Sequence, residues 1–176
     1  MQQAVLGRHF RFVKPFCSEM IFLDYNLDPA MIKKVTDHDI ISATHDTLDY
    51  YLFCGDIYFR INGANFDALW SWIPVIDFSM KLAEISCTIK DGETAIFEFT
   101  ESDDKIYFLR TKEGVDVTCD YSNAHAQTSL SEIRAATVSF AKKVFDDLTN
   151  RWPLLKSSKA FLEKKDEFGR YSEQCQ

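Results

Sequence analysis

The sequence predicts an α+β fold, an antiparallel β-meander sheet packed against a buried central helix and a long C-terminal helix. Three observations carry that expectation. Residues 56–62 alternate Ile57, Phe59 and Ile61 with Tyr58, Arg60 and Asn62, the period of a half-buried strand. Residues 74–85 are apolar at Val75, Ile76, Phe78, Met80, Leu82, Ala83 and Ile85, and a helix with so few polar positions is surrounded by core. Ser129 and Glu132 have the spacing of a capping box, after which Ile133, Thr137, Phe140, Ala141, Val144 and Leu148 recur at helical intervals.

The remaining elements follow in order. Residues 19–26, with Met20, Phe22 and Leu23, read as the first strand. Asp28 is placed as an N-cap and Pro29 as a first helical residue, opening a short helix over residues 30–35. Residues 47–53 are expected as a strand that a tight turn at Cys54-Gly55 joins to residues 56–62, making a hairpin. Asn62-Gly63 ends it, because both residue types tolerate the positive φ of a tight turn. Pro74 sits in the first turn of the central helix. Asp91-Gly92 is a hairpin-turn dipeptide that leads into residues 94–99; what precedes it is either a strand over 87–90 or the end of the helix. Residues 105–110 and 115–120 complete the meander, and His125 falls in the loop before the capped helix. Pro153 interrupts that helix, which resumes as a charged helix over 154–165. A length of 176 residues fits one domain, 1–176, with 171–176 expected as a flexible tail.

With 46% hydrophobic and 27% charged residues and only six Gly and four Pro, the chain is globular rather than disordered or fibrous. No window approaches the roughly 18 apolar residues of a membrane span, and the first residues lack a signal-peptide pattern, so a cytoplasmic location is expected. The five cysteines, Cys17, Cys54, Cys87, Cys119 and Cys175, are odd in number and contain no CxxC pair. That spacing argues against a disulfide framework and a structural zinc site, and for a reducing compartment. A net charge of −7 disfavours direct nucleic-acid binding and favours a basic partner. Acid is dense between residues 24 and 67, where Asp24, Asp28, Asp37, Asp39, Asp46, Asp49, Asp56 and Asp67 face only Lys33, Lys34 and Arg60.

No nucleotide-binding, metalloprotease, serine-hydrolase or calcium-loop motif occurs, so neither catalytic residues, nor metal ligands, nor a cofactor are expected. The alternative is an enzyme or a small-ligand- or metal-binding domain built on His38 and His45 with Asp37, Asp39 and Asp46 beside them. Cys54 reads as a buried small hydrophobe rather than a nucleophile. Aromatic residues crowd into positions 50–72. Core packing accounts for Phe53, Phe59, Phe66 and one tryptophan, whereas tyrosines on the opposite strand face, beside Arg60 and Asp56, have the composition of an interface. The candidate partner-binding residues are therefore Asp46, Asp49, Tyr51, Asp56, Tyr58, Arg60 and Asp67.

The run GDIYFRINGANF followed by LWSWIPVIDFSMKLAEI resembles a pattern found among small bacterial immunity proteins of polymorphic-toxin and contact-dependent growth inhibition (CDI) systems. In that pattern a strand ending in an Asn-Gly turn leads to a Trp-Pro-hydrophobic-Asp-Phe helix. The likeness covers residues 50–90, and its motifs mark the core rather than a toxin contact. It implies a cytoplasmic, non-enzymatic protein that binds a cognate C-terminal toxin domain, here a basic nuclease, with no direct nucleic-acid or membrane contact.

Overall fold

The alternating strand of the sequence becomes the centre of a sheet, because burying Ile57, Phe59 and Ile61 on one face of β2 (Cys54–Ile61) leaves its two edges for neighbours. The structure, a computed structural model, describes residues 21–37, 40–100 and 102–175. β1 (Ile21–Leu27) pairs antiparallel with β2, setting Leu23 opposite Phe59 and Tyr25 opposite Ile57. On the other edge of β2 lie β3 (Ala64–Asn65) and β4 (Ala68–Pro74). Asn62 and Gly63, at φ 50° and 85°, make the expected turn. Residues 19 and 20 of the expected first strand lie outside the described residues.

Asp28 caps α1 (Pro29–Asp37) through its side chain, which accepts the Ala30 N–H at 2.9 Å. The expected strand over 47–53 is a helical turn instead. Thr44 accepts the Thr47 N–H on its hydroxyl at 3.2 Å, and a π-helical turn, Thr47–Tyr51, closes with Leu52 N–H on the Thr47 carbonyl at 2.9 Å. Leu48 and Leu52 lie one turn apart, and both are buried, side by side on the same helical face. Cys54-Gly55 is likewise no turn. Gly55 lies within β2, where a Cβ would collide with the Asn26 carbonyl of β1. The reversal occurs at Phe53, whose φ of 58° is held by burial of its ring against Trp152 at 5.1 Å and by its carbonyl accepting the Val75 N–H at 3.1 Å.

α2 (Val75–Thr88) is the buried central helix, entered directly from β4 through Pro74. Arg134 closes its far end by donating to the Ser86 and Cys87 carbonyls at 2.9 and 3.3 Å. The strand reading of 87–90 yields to this helix end. Asp91-Gly92 joins α2 to a second sheet, with Gly92 N–H bonded to the Arg110 carbonyl at 2.9 Å. That sheet is a four-stranded meander of β5 (Thr94–Glu98), β6 (Lys105–Arg110), β7 (Val115–Cys119) and β8 (His125–Thr128). His125 is thus the first residue of a strand, not part of a loop, and the expected single meander is two four-stranded antiparallel sheets.

The capping box forms as expected at the start of α3 (Leu130–Arg151): Ser129 Oγ accepts the Glu132 N–H at 3.2 Å, and Glu132 accepts the Ser129 N–H at 3.0 Å. All six apolar-spaced positions of that helix are buried. Pro153 begins a 3-10 turn, Pro153–Ser157, and α4 (Lys159–Gln174) starts on Ser158 as N-cap. α4 continues into the positions read as a tail, as far as Gln174, and Cys175 then meets Cys87 at the end of α2 in a disulfide, with Cα atoms 5.0 Å apart. The disulfide runs against the expectation of no disulfide framework and against the reducing compartment inferred from it. An odd cysteine count and wide spacing carry no information on which helix ends pack together, and α2 and α4 do pack. One apolar cluster runs from Leu27 to Phe168 through both sheets and α2, α3 and α4. No helix among the described residues is long and apolar enough to cross a membrane.

Candidate partner-binding faces

Register places three of the expected residues on the outward face of the first sheet. Directly opposite pairs share a face in an antiparallel ladder, so Phe22 with Arg60, Asp24 with Tyr58 and Asn26 with Asp56 point away from the core. The charged members of this face are already engaged. Arg60 forks onto Asp67, with Nε at 3.1 Å and Nη2 at 2.7 Å from Oδ2. Those hydrogen bonds hold the Arg60 guanidinium above its ordinary pKa. Asp67 also accepts the Phe59 N–H at 2.9 Å, so it braces the β2–β3–β4 corner and keeps only 6% side-chain exposure. Asp56 accepts the Ser71 N–H at 2.8 Å and fixes the bulge of β4, where Ser71 stands at φ 62°. Lys143 of α3 reaches over the edge to Asp24 at 3.2 Å and lies 4.9 Å above the Tyr25 ring. The groove of about 490 Å³ beneath it, between β1 and α3, includes Tyr25, Lys143, Asp147, Arg151 and Trp152 and carries both signs of charge.

Asp49 lies inside the protein. Its Oδ1 is 2.6 Å from Lys164 Nζ of α4, and the two side chains are 14% and 9% exposed. Burial pushes the Asp49 carboxyl above the ordinary range, and the Lys164 charge pulls it back. The contact is charge against charge, off the angle of a well-formed hydrogen bond. Asp46 and Tyr51 flank it in sequence and are exposed, Tyr51 by 66%. Tyr58 is half-buried. Thus the structure brings Asp56, Tyr58, Arg60 and Asp67 together on one corner and places Asp46, Asp49 and Tyr51 on the preceding turn.

Of the alternative histidine site, His38 and Asp39 lie outside the described residues. His45 meets Glu163 of α4 at 2.8 Å, and that hydrogen bond holds the Glu163 carboxyl below its usual value. Among the described residues no group of three or more His, Cys, Asp or Glu side chains is arranged to hold a metal ion. Cys54 is buried.

A second open surface lies on the outer face of the second sheet. Its inner residues, among them Phe97, Ile106, Phe108, Val115 and Val117, are buried in the common core, where the Phe78 ring of α2 meets Phe97 at 4.8 Å. The outward rows run Thr94, Leu109, Asp116, Gln127 and Ile96, Tyr107, Thr118, His125 across the four strands. Residues 90–128 contain nine Asp or Glu against four Lys or Arg, so this one segment holds −5 of the chain's −7. Among its described residues the ion pairs are Glu98 to Lys105 at 2.7 Å, Asp91 to Arg110 at 3.1 Å and Asp116 to His125 at 3.9 Å. The signal for this face was in the sequence: both registers of Ala95-Ile-Phe and of Ile106-Tyr-Phe-Leu are apolar, more than one buried side requires. No protein-family model, curated protein or solved structure matches this chain.

Proposed function

We propose that this chain is an immunity protein, which binds a cognate toxin domain and neutralises it without chemistry of its own. The toxin class that suits it is a basic nuclease. Such an enzyme holds a phosphate backbone with a lysine- and arginine-rich surface. An acidic protein that occupies that surface competes with the nucleic acid for the same cations. The observation that carries this reading is the surplus of acid over base in residues 90–128, nine to four, which leaves more acid than its own cations can pair on the exposed strands and turns of the second sheet. The resemblance of residues 50–90 to immunity proteins points the same way.

The test is calorimetry of this chain with the C-terminal toxin domain encoded next to it, at low and high salt. Tight binding is expected, with affinity falling at least about tenfold between roughly 50 and 500 mM salt as exposed charges are screened. Absence of binding at low salt ends the proposal. Binding that does not inhibit nuclease activity ends the neutralising part of it.

A further inference from the structure

Resting on that reading, we infer that the toxin domain docks on the outer face of the second sheet, with Ile96, Tyr107 and Leu109 at the centre of the contact. These three side chains are neighbours by register: Ile96 lies directly across from Tyr107, and Leu109 is two residues further along β6 on the same face. Ile96 is 45% and Leu109 40% exposed, on strands whose other face is fully used by the core. Large apolar groups in the middle of an open sheet, one of them a tyrosine, are the composition of an interface centre. Around them stand Asp116, Glu98, which pairs with Lys105, and Asp120, which accepts the Lys105 N–H at 2.7 Å and the Tyr107 hydroxyl at 3.3 Å; the turns at 91–93 and 111–114 add Asp91, Glu93 and Glu113 at one end, with Arg110 meeting Asp91.

Charge selects the occupant. A second copy of this chain would set one −5 segment against another, and nucleic acid or an anionic membrane would be repelled in the same way. A positively charged protein surface is attracted and also supplies apolar area for Ile96 and Leu109 to meet. Four strands about 4.8 Å apart and five residues long give a footprint of about 300 Å², against about 800 Å² per partner in a standard interface. The flanking acidic turns must therefore take part, and they form the rim on which long-range attraction acts. The first sheet is poorly suited to the same role, since Asp56, Asp67 and Arg60 already hold its bulge and corner.

The experiment compares wild-type chain with three variants against the adjacent-encoded toxin domain. Replacing Ile96 and Leu109 together by serine should weaken binding at least about 30-fold, through faster dissociation. Glu113→Lys with Asp116→Lys should slow association about tenfold at low salt and flatten the salt dependence. Tyr58→Ser, on the first sheet, should leave affinity within about twofold, as expected for a residue outside the contact. Thermal unfolding checks that each variant folds. Hydrogen exchange on the wild-type complex supplies a reading free of mutation: protection on β5 and β6 is expected. Unchanged affinity in the Ile96/Leu109 variant, or protection confined to β1 and β2, overturns the docking surface while leaving the immunity function standing. Failure of the wild type to bind overturns both. Wild-type self-association abolished by the same serine pair assigns the face to a second copy and overturns the inference.

Discussion

The two sheets have the same construction and tie down their acid to different degrees. Each is four-stranded and antiparallel, and each buries one apolar face in the common core. In the first sheet and the turn before it, the aspartates are structural parts: Asp24 meets Lys143, Asp49 meets Lys164, Asp56 holds Ser71 and Asp67 braces Arg60 and the Phe59 amide. In the second sheet, acids outnumber bases nine to four, so most have no cation to meet within the segment. The density of acid in a sequence thus says little about free charge. What matters is how much of it a distant cation or an unpaired amide folds back onto: each aspartate named above is held in this way, whereas in the second sheet Glu98, Asp91, Asp120 and Glu93 meet a cation or an amide while Asp103 and Glu113 stand exposed on its turns.

The largest expected effect tests the packing side of this comparison. Phe59 of β2 is fully buried against Phe66 at 5.4 Å, and Phe59→Ala should cost about 3–5 kcal/mol in urea unfolding. Ile96→Ala on the outer face of β5 should change stability by less than about 0.5 kcal/mol. A comparable loss at Ile96 would mean that its face is packed and not open.

The disulfide comes next, because the loop it closes, from Cys87 to Cys175, contains the whole second sheet and none of the first. Cys175→Ser should lower stability by about 2–4 kcal/mol and make it insensitive to reducing agent, as read by thermal unfolding with and without dithiothreitol. Hydrogen exchange should rise mainly within residues 87–175. Equal loosening of β1 and β2 would show that the two sheets open as one unit.

A somewhat smaller effect follows from removing the lysine that faces Asp49. Lys164→Met should cost about 2–3 kcal/mol at neutral pH, below the range for a fully buried pair because both groups retain some contact with water. Burial raises the folded-state pKa of Asp49 above the unfolded value. A group shifted in that direction favours the fold when protonated, so its contribution is full below the unfolded pKa and is lost as pH rises through the folded one. The Lys164→Met penalty should therefore shrink as pH is lowered into the acid range. A penalty independent of pH would mean that Lys164 acts through its packed methylenes alone.

What the sequence disclosed and what it withheld divide along the same physical line. Local signals were legible: the period-two run of β2, the Asn62-Gly63 turn, the Asp28 cap, the Ser129 capping box and the apolar stripe of α3 each depend on residues within a turn or two of one another. The segment 47–53 was misread because Leu48 and Leu52 fit a helical period while the interleaved tyrosines suggest a strand, and burial by the surrounding core decides between them. β4 escaped notice because its bulge at Ser71 breaks the alternation. The pairing of Cys87 with Cys175 and of Asp49 with Lys164 depends on where α4 docks, and no short-range pattern encodes that. The candidate site was legible to the extent that Tyr58, Arg60 and Asp56 were placed on one outward face. That Asp56, Asp67 and Arg60 are occupied there was not, because the groups that occupy them, the Ser71 and Phe59 amides and each other, are revealed only by register.

The smallest effect gives the finest test of the contrast, since it compares two pairs that both reach the surface. Arg60 and Asp67 are bidentate, with the carboxylate 6% exposed and tied to a strand amide, whereas Glu98 and Lys105 face each other across β5 and β6 with the glutamate 64% exposed. Lys105 holds the Glu98 carboxyl below its ordinary pKa. Any stability this pair contributes is therefore present above the ordinary glutamate pKa and lost as pH falls through the lowered value. A double-mutant cycle on each pair should give the larger coupling for Arg60 and Asp67, and that coupling should survive high salt because its carboxylate is shielded from water. The coupling of Glu98 and Lys105 should be near zero at high salt, like that of most exposed pairs. If Glu98 and Lys105 were instead strongly coupled and indifferent to salt, the acid of the second sheet would be tied into the fold no less than that of the first. Its outer face would then have little free charge with which to attract a basic partner.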